Sequence, residues 1–188
     1  MSRSIHSFHQ HLIQAMVLAC GVAIILGPYY TEPNYNWVAN SISELAGQHT
    51  HNAWIMRLGL LGLGLSAVAG YRWNLSGYNI VHVVFGLCIG ATALFPHKPF
   101  FATADFSPRL DLWHSIFASA GGFCAVLAFV WNLIRSNSRN SKITALVLII
   151  VFTAMSAAMG LWPSLEGLFQ RIIFACYIMW AIAPACKR

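Results

Sequence analysis

The chain alternates long apolar runs with short polar breaks. Six of the runs approach the length of a membrane crossing, for which about 20 residues are needed. They are Leu12–Tyr30, Trp54–Trp73, Gly77–Phe95, residues 110–134, Ile143–Trp162 and Leu165–Cys186. The fourth rises roughly 37 Å as a helix at 1.5 Å per residue, enough to cross with tilt. Pro96 and Pro163 close the third and fifth runs. Ser107 followed by Pro108 reads as the N-cap and first helical residue of the fourth. In the break after the first run, Ser41-x-x-Glu44 has the spacing of a capping box and predicts a short helix. The expected fold is therefore all-α: one domain over residues 1–188, an integral membrane bundle of six transmembrane helices.

Composition agrees with this pattern. Of 188 residues, 58% are hydrophobic and 9% charged, and the mean hydropathy is +0.64. A soluble domain carries roughly 25% charged residues. The net charge of +6 does not point to nucleic acid, because the basic residues gather on no single amphipathic element. Val17-Leu-Ala-Cys20 could be taken for a lipoprotein cleavage site, but apolar residues continue through Leu26, so the first run is expected to be an uncleaved span. The five cysteines form no C-x-x-C pair. Cys20, Cys88, Cys124 and Cys176 fall near mid-depth of four spans, where small apolar side chains for packing are the expected role and a soft-metal site the lesser one.

Charge sets an expected orientation. Six spans place both termini on one side, with Arg3, Arg72, Arg135, Arg139, Lys142, Lys187 and Arg188; Arg57, Lys98, Arg109 and Arg171 fall on the other. The positive-inside rule makes the termini cytoplasmic, in a bacterial inner membrane or its equivalent. All five acids, Glu32, Glu44, Asp105, Asp111 and Glu166, then lie on the extracytoplasmic side. Trp37, Trp54, Trp113 and Trp162 mark that interface, and Trp73 and Trp131 the inner one.

This topology brings Glu44, Arg57, Asp111, His114, Glu166 and Arg171 to similar depth. Ionisable groups at the edge of a span are costly unless they are paired or functional. Asp111 and His114 sit three apart and share a helical face. Glu166 and Arg171 are five apart, about 140° around a helix, so each is expected to reach another helix. Three acids facing two arginines and a histidine make a nearly balanced polar cluster. Asp111, His114 and Glu44 are the candidate catalytic groups, with Ser41, Ser43 or Ser115 as a hydroxyl partner. Arg57, Arg171, Glu166, Ser41 and Ser43 are the candidate binding groups. The same charges also suit a structural role, by snorkelling or by complementing the helix dipole.

Three functions fit these residues. The first is a membrane protein whose extracytoplasmic polar pocket binds or processes a lipid headgroup or small amphiphile. The second is a metal-dependent intramembrane hydrolase; zinc at Asp111 and His114 would need a third ligand, such as His49, His51 or His97. No metal ligand is assigned. Haem is disfavoured, because His82 and His114 lie toward opposite ends of their spans. The third is a membrane assembly or scaffold subunit, as a homo-oligomer or with another membrane protein. Gly62, Ser66 and Gly70 in the second span, and Gly86 and Gly90 in the third, form small-residue stripes suited to close packing.

The chain resembles the six-helix membrane family catalogued as domain of unknown function 998. The matching features are Ser41-Ile-Ser-Glu-Leu45, Arg57, Phe95-Pro96, Asp111-x-x-His114, and Gly167-Leu-Phe-Gln-Arg171 leading to Trp180. The resemblance implies a six-helix bundle and no settled activity. Glu32-Pro-Asn-Tyr35, Ser43, Glu44, Asp111 and His114 more weakly resemble the alkaline ceramidase superfamily of intramembrane zinc hydrolases. That superfamily also has paired histidines in its last helix, and Leu165–Cys186 holds none.

Overall fold

The computed structural model describes the backbone of residues 2–70, 77–102 and 105–182, and the side chains of 10–70, 80–102 and 105–182. Arg72, Trp73, Cys186, Lys187 and Arg188 lie outside the described residues, as does the side chain of Arg3. The helices are α1 (Ser2–Tyr30), α2 (Ile42–Leu45), α3 (Ala53–Gly70), α4 (Gly77–Leu94), α5 (Pro108–Arg135), α6 (Arg139–Leu161) and α7 (Glu166–Ile182), with one 3-10 turn at Pro163–Leu165. No strand occurs among the described residues.

Local chemistry sets the helix starts. Ser107 accepts the Leu110 N–H at 3.5 Å, with Pro108 in the first turn, and so opens α5. Ser138 accepts the Ser141 N–H at 3.4 Å and opens α6. Among the described residues, five helical segments are long and apolar enough to cross a membrane, Gln10–Tyr30 and Pro108–Arg135 being two of them; α4 carries a shorter apolar stretch, Ile80–Leu94. Large apolar side chains such as Leu112, Ile116, Leu146 and Ile150 point outward and are exposed. Contiguous apolar surface of this extent would be insoluble in water and is what a lipid-facing surface needs. The chain is an integral membrane protein.

The six long helices form a closed ring. Each packs on its neighbour in sequence from α3 to α7; α1 packs on α3, and α7 returns to α1. At one end of the ring stand the start of α1 and the finish of α7. At the other lie the two long connections, 31–52 with α2 inside it and 95–107. We call these the terminal end and the α2 end.

α3 and α4 pack backbone against backbone. A Cβ on Gly64 would meet the Gly86 carbonyl oxygen at 2.5 Å and the Gly90 nitrogen at 2.6 Å, so only glycine fits. Gly62 and Gly70, expected in close packing, face Met16 and Ile13 of α1, where a Cβ would make ordinary contact at 3.8 and 3.9 Å. Both stripes therefore serve contacts within the chain.

The terminal half of the ring is filled by aromatic rings. His82 stacks on Trp180 with centroids 5.6 Å apart, and Phe129 meets Trp180 edge to face at 5.2 Å and Phe152 at 5.1 Å. Toward the α2 end this packing gives way to a cavity of about 670 Å³, lined by α2 and every long helix except α1.

Candidate functional site

The roof of the cavity is α2, a single turn suspended by side chains from other helices. Its start is a full capping box: the Glu44 carboxylate accepts the Ser41 N–H at 2.7 Å, and Ser41 Oγ accepts the Glu44 N–H at 3.3 Å. Gln170, one turn into α7, turns its amide oxygen to the N–H groups of Ile42 and Ser43. Arg57, one turn into α3, donates to the carbonyls of Ala46 and Gly47 at 2.9 Å each, at the finish of α2. Four backbone groups of this short turn are thus satisfied from α3 and α7.

The segment before α2 is strapped to α7. The Gly167 and Leu168 N–H groups donate to Ala39 and Val38 carbonyls at 3.3 and 2.9 Å. Arg171 donates to the carbonyls of Trp37, Asn40 and Gly167 at 2.6, 3.0 and 2.9 Å, and to the Tyr35 hydroxyl at 2.6 Å. Tyr35 passes its own proton toward the Asn40 and Ser41 carbonyls, both at 2.9 Å. Burial pushes the Tyr35 phenol up to about 12, against the opposing pull of Arg171, so it stays neutral and keeps donating. A Cβ on Gly167 would collide with the Asn40 carbonyl and come within 2.6 Å of the Trp37 carbonyl oxygen. The strap can lie on α7 only because that residue is glycine.

Under α2, Ser43 and His114 meet. His114 is 2% exposed, and its Nε2 lies 3.0 Å from Ser43 Oγ. Its Nδ1 faces the carbonyl oxygens of Phe95 at 2.8 Å and Thr92 at 3.2 Å. Carbonyl oxygens only accept, so Nδ1 carries the proton. The neutral ring then holds its lone pair on Nε2, and the Ser43 hydroxyl donates to it. Gln170 Nε2 donates to the same Ser43 Oγ at 3.3 Å. Ser43 lines the cavity, as do Thr92 and Gln170, and His114 stands behind it. The rest of the wall is mostly apolar, with Leu63, Phe85, Ile89, Val126 and Phe174 among it. Ser119 and Phe123 of α5, and Thr153 and Ser156 of α6, line the cavity while exposed, so it reaches the outer surface along the α5–α6 side.

The expected charge balance is not realised as ion pairs. Arg57 and Arg171 both donate to backbone carbonyls, and Glu44 closes its capping box. Asp111 shares a helix face with His114 yet does not orient it. Its carboxylate accepts the Lys98 N–H at 2.8 Å and lies 3.5 Å from His97 Nε2. Backbone carbonyls at the finish of α4 orient His114 instead. His97 stands between the two, its ring edge-on to that of His114 at 5.1 Å. Glu166, half-buried in the first turn of α7, lies within electrostatic reach of Glu44, His97 and Lys98. Of the two serines expected to bind, Ser41 is a buried cap and Ser43 faces the cavity. Ser115 donates to the Asp111 carbonyl at 3.0 Å, away from His114.

Two glutamines carry more of this end than their sequence suggests. Gln170 holds α2 and Ser43. Gln48 donates to the carbonyls of Pro96 and Ser107 at 3.2 and 3.1 Å and accepts the Ser107 N–H at 2.7 Å, which fastens the two long connections together. Gln170 had a signal only as part of Gly167-Leu-Phe-Gln-Arg171, and Gln48 had none.

Among the described residues no group of three or more His, Cys, Asp or Glu side chains converges to hold a metal ion. Cys20, Cys88, Cys124 and Cys176 are free thiols. His49 and His51 are exposed in the first long connection, His49 with a positive φ of 57°. Both ring nitrogens of His114 are engaged in hydrogen bonds. His97 lies beside both Asp111 and His114, with its Nδ1 3.0 Å from the Lys98 carbonyl oxygen, and the three side chains do not converge on one point.

A family model described as "Protein of unknown function (DUF998)" matches residues 12–187. No curated protein and no solved structure matches the chain.

Proposed function

From the premise that the chain belongs to the family "Protein of unknown function (DUF998)", we propose that it takes up one membrane amphiphile. The alkyl chain occupies the ring cavity, and the polar head lies at Ser43, Gln170 and Thr92 under α2. One observation carries this reading: a mostly apolar cavity of about 670 Å³ with Ser43, Gln170 and Thr92 gathered at its α2 end, and Ser119, Thr153 and Ser156 along its open α5–α6 side. That volume lies within the range of roughly 300–1,000 Å³ seen for small-molecule sites, which are mostly apolar with a few fixed polar groups. Access along the α5–α6 side suits a ligand that arrives from the lipid. In this reading the termini are cytoplasmic and the α2 end extracytoplasmic, in keeping with the bias of the basic residues. Arg57 and Arg171 act by holding the roof in place.

Gly122 supplies the test. It lines the cavity, and a Cβ there meets nothing within 4 Å. Gly122→Phe therefore starts its side chain in open space and is expected to fill part of the cavity. Native mass spectrometry of the purified wild type is expected to show one retained amphiphile per chain, and the variant none at unchanged melting temperature. A wild type that carries nothing, or a variant that retains the same molecule, contradicts the reading.

A further inference from the structure

We propose that Ser43 is a nucleophile and His114 its general base, and that the protein cleaves a carboxylic ester of a fatty acid whose acyl chain enters the cavity. The proposal rests on the amphiphile reading above for its substrate class, and on the Ser43–His114 geometry for its chemistry. A serine hydroxyl becomes nucleophilic when a base within about 2.6–3.2 Å can take its proton and a third group fixes that base. All three elements are present. Ser43 Oγ is 3.0 Å from His114 Nε2. The Phe95 and Thr92 carbonyls hold Nδ1–H, which fixes the tautomer and gives the imidazolium two acceptors when it forms. The orienting role that a carboxylate often fills falls here to backbone oxygens. Gln170 adds a fourth element, because its side-chain N–H, 3.3 Å from Ser43 Oγ, is placed to donate to an oxyanion formed beside that atom.

The site sits where an ester would lie. Along α7 the cavity wall runs from Gln170 to Tyr177 and along α5 from Ala118 to Val126, depths of about 10–12 Å at 1.5 Å per residue. An acyl chain laid along that wall brings its carbonyl carbon to the polar pole under α2. Among the described residues that line the cavity none carries a thiol or an amine, and the proposal takes its hydrolytic water from the aqueous side of the connections at the α2 end.

The steps balance. Ser43 Oγ bonds to the acyl carbon as its proton passes to His114 Nε2, and the carbonyl oxygen takes negative charge toward Gln170. The tetrahedral centre collapses with cleavage of the carbon–oxygen bond to the alcohol, which leaves with the proton from Nε2. Water then attacks the acyl-Ser43 by the same route, releasing the fatty acid and restoring both side chains. The net reaction is ester plus water giving acid plus alcohol, with no redox change.

An alkyl fluorophosphonate tests this in the purified full-length protein, because only an activated serine displaces its fluoride. Intact and peptide mass spectrometry are expected to place a single adduct on Ser43. Ser43→Ala should carry none, and His114→Gln should label at least about 100-fold more slowly, the usual scale of a general base. Ser115→Ala should label as the wild type does. Melting temperatures and retained amphiphile, measured on the same samples, show that each variant is folded. Labelling of Ser43 that depends on His114 supports the proposal. An intact amphiphile retained by a chain whose Ser43 stays unlabelled overturns the nucleophile and leaves the binding reading standing. Neither amphiphile nor label removes both. Equal labelling in His114→Gln overturns the role of the base.

Discussion

The two ends of the ring are built from the same helices and solve opposite problems. At the terminal end, Phe129, Phe152, Trp180 and His82 close the interior with rings 5.1 to 5.6 Å apart. At the α2 end, Arg57, Arg171, Gln170 and Gln48 turn toward the backbone of the connections. They carry a roof, and beneath that roof the interior stays open. In lipid, helix association gains little from the hydrophobic effect, so close packing and satisfied polar groups must hold a bundle. The terminal end relies on the first and the α2 end on the second. A region held by hydrogen bonds at its rim can tolerate a void at its centre, and that is where a site can form.

The contrast can be broken from either side. The largest effect is expected from Phe129→Ala, since Phe129 is fully buried between Phe152 and Trp180. The void it leaves should destabilise the protein by about 3 kcal/mol, read as a lower melting temperature in detergent. Next is Arg171→Met, which leaves the Trp37 carbonyl without its arginine donor and takes one of two hydrogen bonds from the Asn40 carbonyl. A loss of about 2 kcal/mol is expected, with faster proteolysis confined to residues 31–41. Ser41→Ala removes one cap of α2 and should cost about 1 kcal/mol. It should also weaken amphiphile retention, because Ser43 follows the same turn. Gly122→Phe is expected to change stability by less than about 1 kcal/mol while retention is lost, because it fills a void where Phe129→Ala makes one. If Phe129→Ala and Gly122→Phe had the same effect on stability and on retention, the two ends would not differ as described.

Much of the frame was legible in the chain. Six apolar runs became six helices in a ring, Ser41-x-x-Glu44 became a capping box, and Ser107-Pro108 opened α5. Each of these is a local signal, carried by residues a few positions apart. The polar end was legible as a place and not as a set of partners. Arginines at the edge of spans suggest carboxylates, but Arg57 and Arg171 chose backbone carbonyls, which every residue carries and no side-chain pattern reveals. Asp111 and His114 share a face, yet the 95–107 connection folds back between them, so His97 and the Lys98 N–H take the carboxylate. Gln170 lies in Gly167-Leu-Phe-Gln-Arg171, but an amide one turn into a span adds no charge and does not reveal its partners. The stripe at Gly62, Ser66 and Gly70 had the right spacing, but ring closure turned it toward α1 and left the tight contact to Gly64. The cavity depends on which residues line the ring interior, a property of all six helices at once.

Photo-crosslinking addresses the difference between the two ends most directly. Membranes containing the protein would be supplied with a fatty acid bearing a photoreactive group on its chain, irradiated, and the labelled peptides mapped. Adducts are expected on the ring interior near the α2 end, at Leu63, Phe85, Ile89 and Val126, and to disappear in Gly122→Phe. Adducts confined to outward residues such as Leu112, Ile116, Leu146 and Ile150, with the interior unlabelled, would contradict a lipid-filled cavity under α2.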